Sequence, residues 1–102
     1  MKLTKVNLVK TKDQLTTYWE LQQLAQVNDH VVNMVKILGE FEMHTHEHGE
    51  KLFYVLSGVL NIAFPNAEDL VVHAGEFIVM PKGSRHKPYA LEETTLIFFE
   101  AK

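Results

Sequence analysis

Apolar and polar positions along this chain change period twice. Residues 3–9 alternate weakly, as a short edge strand would. Over residues 11–19 the period lengthens: Thr11 or Asp13 can cap a helix, and Leu15, Tyr18 and Trp19 then fall on one side. One or two helical turns are predicted there. From residue 21 onward the pattern is that of strands. Asn28-Asp29 is a two-residue turn signal between residues 21–27 and residues 30–38, so these two runs are expected to form a hairpin. Further strands are predicted at residues 51–57, 59–64, 70–73, 77–80, 86–91 and 95–100, separated by Gly, Pro and Asn.

Short strands with punctuation at this spacing predict an all-β sandwich or barrel. Several of them are apolar on both faces. Leu52, Tyr54 and Leu56 oppose Phe53 and Val55, and Phe77 and Val79 oppose Ile78 and Met80. Since one face of a lone barrel should meet water, something is expected to cover the outside, either the N-terminal segment or a second subunit. The expected division is one domain over residues 1–102, with a barrel over about residues 21–100 and an extension over residues 1–20.

Composition narrows the chemistry. A net charge of −3 argues against a nucleic-acid partner, which requires a concentrated basic face. No stretch approaches the ~20 apolar residues that span a bilayer, and the N-terminus lacks a secretion signal, so a cytoplasmic protein is expected. The chain has no cysteine, which excludes disulfides and thiolate sites. It has six histidines, and three of them fall within five positions. A metal here would be held by imidazole, carboxylate or water, which suits divalent transition ions such as Fe, Mn, Zn or Ni.

Two stretches concentrate that chemistry. In the first, His44 and His46 are two apart and would point the same way from an extended chain, offering two nitrogens to one ion. His48 keeps the parity but precedes Gly49, where a turn is expected. In the second, Gly75 opens an apolar run that ends in Pro81-Lys82-Gly83-Ser84, after which His86 starts a new strand.

These stretches are similar to the two motifs of the cupin superfamily. Gly39, His44, His46, a carboxylate near Glu50 and Gly58 resemble the first motif, and Gly75, Pro81, Gly83 and His86 match the second at every spacing. Residues 51–58 also resemble the strand that follows the ligands in small bacterial cupins. The likeness covers about residues 31–100. It implies a double-stranded β-helix, a jelly-roll-like barrel with a short N-terminal strand or helix added. It further implies a homodimer and a divalent metal held by His44, His46 and His86, with Glu50 the doubtful fourth ligand.

The chain departs from the family pattern in one place. Counting back from Gly58, the usual glutamate position holds Lys51. By parity Lys51 shares a face with Phe53 and Val55, while Glu50 points away. An ammonium repels a cation and offers it no lone pair. Three readings therefore stand side by side. The three histidines bind a metal, with water, Glu50 or His48 completing its shell. Alternatively, the histidines and Lys51 bind an anionic small molecule in a sensory or binding module without metal. Or the histidines are remnants in a structural barrel. Lys51, His48, Phe53 and Phe77, with Val55 and Val79, are the expected ligand-binding residues of the pocket.

Overall fold

Asn28 adopts a left-handed φ of 55° and closes the predicted hairpin, with Val27 paired to His30. The computed structural model describes residue 1, residues 3–45, residue 47 and residues 49–102. Its elements run α1 (Leu8–Gln14), β1 (Gln22–Val27), β2 (His30–Glu40), β3 (His44–Thr45), β4 (Lys51–Ser57), β5 (Val59–Phe64), β6 (Ala67–His73), β7 (Phe77–Met80) and β8 (Arg85–Ala101). The fold is all-β, an antiparallel jelly-roll barrel with one helix before it. No helix among the described residues is long and apolar enough to cross a membrane.

The N-terminal expectations need correction. Residues 3–7 form no strand, and the helix starts three residues before Thr11. Asn7 is its cap, accepting from the Lys10 amide at 3.0 Å. No residue of α1 is buried, and it ends before the aromatic residues expected on it. Tyr18 and Trp19 lie instead in a strap that meets β2 through a bridge between Tyr18 and Lys36.

The two strands expected at residues 86–91 and 95–100 are one, the 17-residue β8. Its first part pairs with β3 and β5 and its later part with β4, while β2 runs along both. Between them the register with β2 jumps: Ile37 faces Thr94 but Gly39 faces Ala90, so residues 91–93 bulge opposite Leu38. A bulge bends a strand and raises its twist, which lets β8 serve both walls of the barrel. Val35, Ile37, Phe53, Val55, Leu60, Ile62, Val72, Met80, Ala90 and Leu96 form the core between those walls.

The bend is tied down by Thr94, which is fully buried. Its hydroxyl lies 3.1 Å from the Val59 carbonyl, 3.0 Å from the Val59 amide and 3.0 Å from the Glu92 carbonyl. Gly58 makes that approach possible. Its φ is +83°, and a Cβ there would meet Thr94 Oγ1 at 2.3 Å and the Glu93 carbonyl oxygen at 2.6 Å. Gly58→Ala should therefore destabilise the protein by roughly 3–5 kcal/mol, combining left-handed strain with overpacking. Gly83→Ala, with φ +80° but nothing within 4 Å, should cost only about 1–2 kcal/mol. Urea titrations of the two variants measure the difference.

Candidate metal and ligand site

β3 is only two residues long, but it places His44 directly opposite His86 on β8. The two imidazole rings are 4.6 Å apart, centre to centre. Each is aimed by the same device. His44 Nδ1 lies 2.8 Å from the Glu42 carbonyl, and His86 Nδ1 lies 2.9 Å from the Ser84 carbonyl. A carbonyl oxygen only accepts, so Nδ1 carries the proton in both rings. Nε2 is then the nitrogen through which either ring would meet a metal.

His86 is completely buried. Burial pushes its imidazole below the ordinary histidine range; the Ser84 carbonyl opposes this, and the nearby His44 and Lys51 add to it. It is therefore neutral at pH 7, the state that a metal ligand requires. Among the described residues no three His, Asp or Glu side chains are arranged to hold an ion. His46 and His48 lie outside the described residues.

Beside His44 opens a cavity of ≈ 270 Å³. Trp19, Leu21, Val35, Phe41, His44, Lys51, Phe53, Pro88, Leu96 and Phe98 line it. Trp19 and Phe41 stack at 5.2 Å, and Phe41 meets His44 edge-on at 5.2 Å. Phe53 and Phe98 lie 4.9 Å apart. Trp19 has a left-handed φ of 64°, held by its amide to the Lys36 carbonyl at 2.8 Å and by its indole N–H to the Leu38 carbonyl at 3.0 Å.

The structure puts Lys51 at the cavity wall and leaves Glu50 exposed. Phe53 is buried in the wall. Val55 is buried in the core and does not line the cavity. Phe77 and Val79, expected in the wall, are 60% and 47% exposed. The parity of β7 was taken the wrong way round: Met80 and Ile78 turn toward the core, so Phe77 and Val79 face outward. His73 is exposed, and His30 pairs with Asp29 at 2.8 Å, both at turns away from the site.

Glu100, not among the expected site residues, stands beside the cavity through its pairing with Lys51. It faces Lys51 across β4 and β8, and its carboxylate lies 3.0 Å from the Lys51 ammonium. The ammonium also sits 4.1 Å over the Phe98 ring and 5.4 Å from that of Phe53. The signal was available: Leu96, Phe98 and Glu100 share one face of a strand, and the first two line the cavity. Trp19 and Phe41 had no such signal, because the strap and the segment after β2 are irregular.

The cupin domain family model matches residues 33–101. The chain is a cupin. YdbB, an uncharacterised protein of Bacillus subtilis, is 34% identical over 79 residues, spanning 78% of this cupin and 70% of that protein. A crystal structure of a cupin-2 domain protein from Shewanella frigidimarina superposes with a TM-score of 0.92 at 34% identity, over 95% of this cupin and 94% of that chain. A hydroquinone 1,2-dioxygenase, solved with Cd²⁺ and 4-hydroxybenzonitrile, shares the fold at a TM-score of 0.76 and 12% identity, over 94% of this cupin and 71% of that chain.

The Lys51–Glu100 pair is mostly shielded from water, its side chains being 12% and 28% exposed. Glu100→Gln leaves the ammonium without its counter-charge and should destabilise the cupin by about 1–3 kcal/mol, less than for a fully buried pair. The double variant Lys51→Met/Glu100→Gln should recover most of that loss. Denaturant midpoints across this mutant cycle give the coupling directly.

Proposed function

We propose that this cupin binds a divalent transition metal through His44 and His86, with His46 as the third nitrogen, beside a cavity that receives a small organic molecule. The observation that carries the reading is the matched pair of imidazoles. The ring centres lie 4.6 Å apart, and each Nδ1 is bonded to a backbone carbonyl, so Nε2 is the nitrogen that each ring would offer an ion. Imidazole suits Fe, Mn, Zn and Ni, at bond lengths of about 2.0–2.1 Å for zinc. Glu50, exposed, makes a poor fourth ligand. Lys51 donates no lone pair, but Glu100 balances its charge, so its repulsion of a cation is reduced. When bound, the metal would supply Lewis acidity beside the cavity. The chain's own part is to hold the two rings, exclude water with Trp19 and Phe41, and present Lys51 to the organic ligand.

The fold neighbour solved with Cd²⁺ is in keeping with this reading. The metal-free alternative, an anion anchored by Lys51, is weakened because Glu100 already engages that ammonium. Untagged protein should carry near-stoichiometric metal by elemental analysis. His44→Ala should lower its affinity for Zn²⁺, Mn²⁺ or Ni²⁺ in calorimetric titrations by at least ~10–100-fold, the loss expected even from removing a ligand's supporting partner. Protein that refuses these ions, and Fe²⁺, would overturn the reading.

The exposed Phe77, Val79 and Leu91, together with the family likeness, support a homodimer. Light scattering coupled to sizing should give twice the mass of 11.7 kDa. A monomer across micromolar concentrations would contradict it.

A further inference from the structure

Resting on the small-molecule half of that reading, we propose that the cavity selects a neutral, oxygen-bearing aromatic molecule and discriminates against aromatic carboxylates. Three observations lead there. The lining carries two aromatic pairs, Trp19 stacked on Phe41 and Phe53 beside Phe98, which suits a flat ring. A volume of ≈ 270 Å³ has room for a substituted aromatic ring and lies just under the usual range of small-molecule pockets.

The third observation decides the substituent. Lys51 is the cationic side chain among the described residues of the wall, and it carries N–H bonds that a ligand oxygen would accept. Its charge is already met by Glu100 at 3.0 Å and by the Phe98 face at 4.1 Å. A ligand carboxylate reaching the ammonium would bring a second negative charge beside Glu100, in a poorly solvated place. Like charges at such range raise each other's energy. A hydroxyl or carbonyl oxygen accepts the same hydrogen bond with no formal charge. The Lys51–Glu100 pair thus works as a polarised donor rather than as a cation. Its two residues set specificity by the balance between them.

Phenol, benzoate and toluene test this, since they share one ring and differ in the substituent. The chain has one tryptophan, so its indole N–H gives one resonance in a ¹H–¹⁵N spectrum, reporting from the cavity wall. Titrations in chelator keep metal out of the comparison. Wild-type protein should bind phenol about tenfold or more tighter than either benzoate or toluene, the increment of one hydrogen bond to a charged donor. Lys51→Met should bring phenol down to the level of toluene. Glu100→Gln, which uncovers the ammonium, should reverse the order so that benzoate binds tighter than phenol; thermal melts confirm that each variant is folded.

The proposal is overturned if wild-type protein prefers benzoate, binds phenol no better than toluene, or shows no shift of the Trp19 resonance with any of the three. The wild-type ranking decides the matter even where a variant fails to fold. Metal uptake with no ring bound sinks this inference and leaves the metal reading intact. Phenol bound by protein that takes no metal does the reverse.

Discussion

The barrel hangs on a single bent strand. β8 is hydrogen-bonded to four others, and its bulge at residues 91–93 turns it from one wall to the other. The bend holds its shape because the Thr94 hydroxyl closes on the Val59 backbone, and that contact requires a residue with no side chain at position 58. A buried hydroxyl bonded to three backbone groups leaves little freedom, since each lost bond would strand a polar atom in the core.

The site inherits its geometry from that strand. Before the bulge β8 supplies His86 and Pro88; after it, Leu96, Phe98 and Glu100. The strands paired with it deliver the complements: His44 opposite His86, and Lys51 opposite Glu100. The paired imidazoles and a charged, aromatic cavity are thereby placed along one continuous piece of backbone. The lysine that departs from the family pattern is compatible with this arrangement because its cross-strand neighbour is a glutamate. The carboxylate missing at position 51 stands across the ladder from it.

Much of this was legible in the residue pattern. Gly, Pro and Asn marked the ends of β4, β5 and β7 and the turn of the first hairpin, while β6 begins three residues early at Ala67, β2 runs on to Glu40 and β3 was not expected as a strand. Period-two parity put Lys51 on the cavity side and Glu50 outside. The combined spacing of the two motifs, around His44 and around Pro81 and His86, carried the family resemblance that the domain match bears out. What escaped was long-range or irregular. The bulge hid the continuity of β8, because residues 91–93 read as a break. Phe77 and Val79 were assigned inward because both faces of β7 are apolar, and parity without a polar side does not say which face is in. Trp19 was expected on a helix that ends before it, and Phe41 follows the end of β2, so only the folded chain brings both to the cavity wall. Parity groups Glu100 with Leu96 and Phe98, but its pairing with Lys51, 49 positions away, is set by a strand register that the sequence does not specify.

The position of β8 also orders events during synthesis. It is the last of the eight strands to be made, yet β2, β3, β4 and β5 all depend on it for hydrogen bonds. A nascent chain that has produced everything up to Met80 owns two local hairpins, β1–β2 and β5–β6, the β4–β7 ladder and no closed core. Its apolar strand faces remain exposed until β8 emerges and pairs with the strands that wait for it. During that interval the unfinished barrel is a natural client for chaperones.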